Sequence, residues 1–257
     1  MLSHILPLVP KHHKYAEMFA GGLALYFAKK KSRIEIINDI NRNVANFYRV
    51  LKTDFDNLMR EIELALHCKE TYIYSKEIYH NPEKYSNLER AWALWVTTVM
   101  SMFGKANGTF SYISKGGLAH HRAMCTRNRR EQFGVYKGRL ESTIIHSEKA
   151  EYLIPKLDHA HTFFYCDPPY VGANQGHYKG YNQNDFDALL LELSKIKGKF
   201  ILSSYRNESL AEFSKKNGWN TIEVKKVSTI SNYNKEKIEV ITYNYELENT
   251  SHQLEIF

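Results

Sequence analysis

Along the first fifty residues the hydrophobic pattern switches between two periods. Tyr15-Ala16-Glu17-Met18-Phe19 is a mostly apolar run of strand length that leads into Ala20-Gly21-Gly22. From 23 to 30 the apolar positions take helical spacing, residues 33–37 again read as a strand ending in Asn38-Asp39, and helical spacing resumes from Asn41. Short apolar runs bounded by turn residues mark strands, whereas apolar positions three and four apart mark helices. The pattern predicts strand, glycine turn, helix, strand, helix.

The second half continues the alternation. Strands are expected near 142–146, 162–166 and 199–204, with helices near 149–157, 184–196 and 208–217. Two further strands, near 219–227 and 237–245, flank a polar turn at 231–236. Gly198 and Gly218 stand where helix C-caps are expected. Strands alternating with helices give an α/β, doubly wound parallel sheet, and the last two strands predict an antiparallel edge. Between the halves, Trp92, Trp95, Val96, Val99, Met100 and Phe103 fall at helical spacing and read as a core stripe. The expected organisation is one domain, residues 1–52 and 140–257, interrupted by a mainly helical insert at 53–139. A chain of 257 residues is long enough for that core and insert.

Candidate chemistry sits at the predicted strand ends, where ligands of such sheets bind. The run Tyr165-Cys166-Asp167-Pro168-Pro169-Tyr170 leaves the strand at 162–166. An exocyclic amine on a nucleobase is a poor nucleophile, because its lone pair is delocalised into the ring. Two acceptors that take both of its N–H bonds draw the pair back onto nitrogen. The Asp167 carboxylate and the Pro168 carbonyl are candidates for those acceptors. Pro168 and Pro169 fix φ and remove competing donors, and Tyr170 offers a face on which an extruded base can stack. The ordinary alternative is an Asp-Pro turn closing a strand. In the first half, Gly21-Gly22 lets a ligand approach the backbone. Asp39 stands where a doubly wound fold holds ribose hydroxyls, or else caps the following helix.

These elements, in this order, resemble the Dam-type, or D12-class, adenine-N6 DNA methyltransferases. The matching residues are Glu17-Met18-Phe19-Ala20-Gly21-Gly22, Ile37-Asn38-Asp39, Phe163 to Tyr170 and Phe200-Ile201-Leu202-Ser203-Ser204-Tyr205. The cofactor motif comes first and the catalytic motif last, as in that family's alpha arrangement. The resemblance implies a Rossmann-like methyltransferase sheet and S-adenosylmethionine as cofactor, held by Glu17, Phe19, Ala20, Gly21, Gly22, Asp39 and Asp167. It also implies methyl transfer to adenine N6 in duplex DNA by direct attack from a flipped base, with Asp167, Pro168, Pro169 and Tyr170 catalytic. A cognate restriction endonuclease is a partner to consider, and a monomer or weak dimer is expected. Three departures stand out. Relatives carry a Gly-Gly-Lys element ahead of the first strand, and this chain begins Met1-Leu2-Ser3-His4 just past that place. Leu23 stands where the family often has glycine, and Lys149 where relatives often have an acid.

Charge agrees with a polyanionic partner: the formal net charge is +7. Between 115 and 139 seven bases (Lys115, Arg122, Arg127, Arg129, Arg130, Lys137, Arg139) face one acid, Glu131. A solvated helix face usually interleaves the two signs, so Lys115, Arg122, Arg127, Arg129 and Arg130 are expected at DNA phosphates. The glycine-rich stretch 104–112 reads as a hairpin or loop whose Lys105 and Asn107 can reach base edges, or as a plain surface turn with a buried Phe110. The loop at 177–181 closes over the base, holds phosphate or simply connects elements. Tyr205 either walls the adenine pocket or caps the core.

Cys68, Cys125 and Cys166 have neither metal spacing nor an even count, and the pairs His12-His13 and His120-His121 cannot imitate a helical zinc face. No metal is expected, and Cys166 reads as a strand residue rather than a nucleophile. No signal peptide or membrane-length apolar run is seen, so the cytoplasm is the default location. An RNA amine methyltransferase and a DNA-binding homologue without catalysis remain alternatives.

Overall fold

The computed structural model describes residues 1–102, 108–112, 129–171, 180–225 and 238–247. Its strands are β1 (Lys14–Glu17), β2 (Ile34–Asn38), β3 (Ile144–His146), β4 (Thr162–Cys166), β5 (Lys199–Tyr205), β6 (Asn220–Lys225) and β7 (Ile238–Tyr243). They form one sheet in the order β3-β2-β1-β4-β5-β7-β6. Neighbours from β3 to β5 pair in parallel, whereas β7 is antiparallel to both β5 and β6. The expected parallel sheet with an antiparallel edge is therefore present, with β7 lying inside the outermost β6. A Rossmann-like methyltransferase sheet has this form.

Period-two alternation places both faces of the sheet in contact with helices. Tyr15, Ile37, Phe163, Tyr165 and Ile201 enter one buried cluster, and Ala16, Ile36, Phe164, Cys166, Phe200 and Leu202 enter another. Strands buried on both faces read as continuous apolar runs, which is why 162–166 was legible without alternation. The first face is covered by α1 (Ala24–Ala28), α2 (Arg42–Thr53) and the helices that follow it. These are α3 (Phe55–Leu64), α4 (Lys69–His80), α5 (Asn87–Val99) and, after an interval, α6 (Arg129–Leu140). The other face carries α7 (Ala150–Leu157), α8 (Gln183–Leu193) and α9 (Glu208–Asn217). Burying one phenylalanine such as Phe163 contributes roughly 1.5–3 kcal/mol. Trp95, Val96 and Met100 are buried, with Trp92 and Val99 packed beside them, so the stripe is core as expected; Phe103 lies outside the described residues.

Two readings need correction. Gly198 does not cap a helix, because α8 ends at Leu193 with Ser194 as its cap. A Cβ at Gly198 would stand 2.6 Å from the Thr162 carbonyl oxygen, so glycine is needed there for close approach between β4 and β5. Arg139, counted among the bases of the 115–139 stretch, is an internal brace. Its guanidinium pairs with buried Glu35 at 2.8 Å and donates to the Lys29 carbonyl at 2.7 Å, while Lys29 holds the same carboxylate at 2.8 Å. Gly218, with φ 67°, is the αL cap expected after α9.

Candidate active site

Register brings the sequence motifs to one edge. Glu17 at the end of β1 is level with Ile37 on β2 and Tyr165 on β4. The chain winds outward from β1 to β2 and β3, then crosses to β4, so the order reverses between β1 and β4. That is the crevice where doubly wound sheets bind ligands. Neighbouring strands lie about 4.8 Å apart, so the ends of β2 and β4 are roughly 10 Å from each other.

The glycine turn after β1 is fixed from several sides. Gly21 has φ +46°, and its N–H donates to Asp39 Oδ2 at 3.0 Å. The Gly21 carbonyl accepts from the Tyr48 hydroxyl at 2.7 Å, and the Ala20 N–H donates to the Asn38 carbonyl at 2.8 Å. Gly21 and Gly22 are exposed, and a Cβ at Gly22 would meet nothing within 4 Å. The turn therefore combines a rigid backbone with open space above it, which fits a ligand laid against the glycines. Leu23 follows in the left-handed region (φ 53°, ψ 36°) with its side chain buried.

Asp39 is only 2% exposed, and its other oxygen, Oδ1, accepts the Asn41 N–H at 2.8 Å. The helix cap of α2 is Asn41, whose side chain accepts from the Asn43 N–H. Asp39 thus holds backbone on both sides of itself and is not the cap. Asn38, which the sequence reading did not single out, clamps three segments. Its Nδ2 donates to the carbonyls of Met18 at 3.0 Å and Glu148 at 2.9 Å, and its Oδ1 accepts from the Glu148 N–H at 2.9 Å. A polar pair directly after an apolar strand was the available signal for it.

Glu17 is 2% exposed beneath the turn. Its Oε2 accepts from the Tyr15 hydroxyl at 2.6 Å and from the Tyr26 N–H at 3.1 Å, so it braces the start of α1. Burial, against these hydrogen bonds and with the Asp167 charge adding to it, pushes the Glu17 carboxyl up to about 8.

At the end of β4, Asp167 is exposed, Pro168 is buried, and Pro169 and Tyr170 are half-buried. The Tyr170 hydroxyl hydrogen-bonds the Asp167 side chain, and its titration is pushed upward, chiefly by burial and then by that charge. Its ring meets Tyr205 edge-on, with centroids 4.5 Å apart. Tyr205 is the last residue of β5, and with Ser204 it lines a small depression shared with Pro168, Pro169 and Tyr170. The depression measures about 10 Å³, space for about one water. Tyr205 therefore lines this depression beside Tyr170. Phe19 of the glycine turn meets Tyr181 edge-on at 6.2 Å, which joins the start of the chain to the segment after the Asp167–Tyr170 run. Cys166 is fully buried, and burial raises its thiol well above the ordinary range. A thiolate nucleophile is disfavoured there.

The expected DNA contacts divide differently. Lys105, Asn107, Lys115, Arg122 and Arg127 lie outside the described residues, as do the side chains of Arg129 and Arg130 at the start of α6. The base of the glycine-rich stretch is described: Ser101 bridges Phe110 antiparallel, Met102 N–H donates to the Thr109 carbonyl, and Ser111 N–H donates to the Met100 carbonyl. Phe110 packs against His67 and Tyr72, while Tyr72 donates to the Gly108 carbonyl at 2.7 Å. Residues 101–102 and 109–111 thus pair antiparallel, anchored on α4.

A comparison with curated proteins finds no match. A family model does match, over residues 1–248. That span contains the glycine turn, Asp39 and the Asp167–Tyr170 run on a sheet of the expected form. The chain belongs to the family of D12 class N6 adenine-specific DNA methyltransferases.

Proposed function

We propose that the protein is a site-specific DNA methyltransferase that uses S-adenosylmethionine to methylate adenine N6 in duplex DNA, acting on a flipped base. The observation that carries this reading is the meeting of the Gly21–Asp39 turn and the Asp167–Tyr170 run at neighbouring strand ends.

S-adenosylmethionine, when bound, supplies an electrophilic methyl group. Phe19, Ala20, Gly21 and Gly22 would hold it, with Asp39 toward its ribose and Asp167 near the reacting end. Glu17 contributes by bracing the turn from below. The Asp167 carboxylate and the Pro168 carbonyl would accept the two N–H bonds of the target amine and localise its lone pair on nitrogen, so that the N–C bond would form as the methyl–sulfur bond breaks, with one amine proton released to solvent. Pro169 keeps that backbone in one orientation, and Tyr170 stacks on the base while its hydroxyl orients Asp167. No covalent enzyme intermediate is required, in keeping with the inert Cys166. Residues 53–139 are the recognition insert of this scheme. In it Lys105 and Asn107 read base edges, while Lys115, Arg122, Arg127, Arg129 and Arg130 meet phosphates.

The test is incubation with labelled S-adenosylmethionine and unmodified duplex DNA, followed by nucleoside analysis. N6-methyldeoxyadenosine is expected. Label in RNA but not in DNA would transfer the reading to an RNA amine, and cofactor binding without transfer to either would mark a homologue without catalysis.

A further inference from the structure

A further cleft lies beside the catalytic crevice rather than in it. It measures about 590 Å³ and is lined by Arg42, Asn46 and Arg49 of α2, Asn87 and Arg90 of α5, and Ser147 after β3, together with Asp54 as the one carboxylate. Arg42 and Arg49 are exposed and stand seven positions apart on the helix, about 10 Å along the axis. Among the described residues none of the three arginines forms an ion pair. Arg90 is instead anchored on neutral groups: Nε and Nη2 donate to Asn43 Oδ1 at 3.2 and 3.1 Å, and Nη1 to Asn87 Oδ1 at 3.4 Å. Arg49 reaches the Ile145 carbonyl at 3.4 Å. The guanidinium of Arg90 is held below its ordinary range by burial and by the charges of Arg42 and Arg49. Gathering like charges costs free energy that a bound anion would offset.

Position narrows the anion. The Ser147 hydroxyl donates to the Asp39 carbonyl at 2.9 Å, so the cleft opens at the same sheet edge as the proposed cofactor turn. The β3 end is three strand spacings from β4, roughly 14 Å across that edge. A duplex whose target base enters beside Asp167 carries backbone phosphates within this reach. Arginine forks match phosphate oxygens in geometry and charge.

We propose that this cleft binds the DNA backbone, with Arg42 and Arg49 contacting one or two phosphates flanking the target site and Arg90 fixing the cleft wall. The proposal rests on duplex DNA being the substrate. It adds a phosphate contact on the catalytic domain itself, separate from the basic stretch at 115–130.

The experiment measures duplex affinity by fluorescence anisotropy across a salt series, for the wild type and for the Arg42→Gln/Arg49→Gln double variant. The expected result is a slope of log affinity against log salt that is shallower by about 1 to 2. Affinity at low salt should fall roughly tenfold for every duplex sequence, with S-adenosylmethionine binding and thermal stability unchanged. The Arg42→Lys/Arg49→Lys variant should recover most of the slope. A slope identical to wild type overturns the proposal. So does loss of affinity accompanied by loss of folding that the lysine pair fails to restore. Binding of inorganic phosphate or a mononucleotide in the cleft, with the slope unchanged, also overturns it and leaves a small-anion pocket. A wild type that binds no duplex defeats the DNA reading as well, which separates the two failures.

Discussion

Asp39 accepts the backbone N–H of Gly21 at 3.0 Å, so the acid that ends β2 holds the glycine turn that ends β1. Its other oxygen holds the Asn41 N–H at 2.8 Å. An acid expected to meet a ribose or to cap a helix is the clasp between two strand ends.

Replacing it should therefore have two effects. Asp39→Ala leaves two backbone donors without acceptors, at about 1–3 kcal/mol for each that stays dry, and the melting temperature should drop by several degrees. The same variant should raise the apparent requirement for S-adenosylmethionine about tenfold or more while the saturated rate changes less, because a ribose contact is uniform binding. Steady-state kinetics beside a thermal melt check both. A rate loss with an unchanged cofactor requirement would reduce Asp39 to the clasp alone.

Leu23 poses a question of sign. Its left-handed backbone, φ 53°, costs about 1–2 kcal/mol that glycine would recover. Its side chain is 1% exposed, and truncating such a leucine costs about 2–5 kcal/mol. Leu23→Gly should consequently be less stable, by about 1–3 kcal/mol in chemical denaturation. A gain in stability would mean that backbone strain outweighs the packing.

Glu17 gives a pH prediction. Its folded value, pushed up to about 8 mainly by burial, lies above the ordinary 4.5 of an unfolded chain. Below 4.5 both states hold the proton; between 4.5 and 8 only the folded state holds it, so stability falls as pH rises through that window. Glu17→Gln removes this contribution. The wild-type minus variant difference in unfolding free energy should decline steadily from pH 5 to pH 8 and level off above. A flat difference would show that the carboxyl is already ionised at pH 5.

The proposed recognition scheme separates phosphate contacts from base contacts. Neutralising Arg127, Arg129 and Arg130 together should weaken binding to all duplexes and flatten its salt dependence. Changing Lys105 or Asn107 should alter the ratio between sites, by roughly 1–3 kcal/mol for a lost base contact. Competition binding on a set of duplexes separates the two. If the arginines shift the ratio and the loop does not, the basic stretch is the reader.

Strand and helix order was legible because the periods are clean: β4 and α9 fall where the pattern puts them, at Thr162–Cys166 and Glu208–Asn217. Motif positions were legible because a strand-end acid or glycine is conspicuous between apolar runs. Pairwise tertiary relations were not. Arg139 looked like one more base in a charged stretch, yet its partner Glu35 is 104 residues away and buried. The Asn38 clamp and the Tyr48–Gly21 bond depend on segments that meet only after the sheet forms. The Arg42–Arg49–Arg90 cleft escaped notice because its charges are spaced along two helices rather than clustered in sequence.

The central claim is that Asp167 activates the adenine amine. The most direct measurement is mass spectrometry of nucleosides from unmodified duplex DNA incubated with S-adenosylmethionine and either wild-type or Asp167→Ala protein. Asp167 is exposed, so the variant should fold and still bind cofactor, though more weakly. The account predicts N6-methyldeoxyadenosine from the wild type and a rate at least a thousandfold lower from the variant, roughly 4 kcal/mol of transition-state stabilisation. Near-normal turnover by Asp167→Ala, or N4-methylcytosine as the main product, would contradict it.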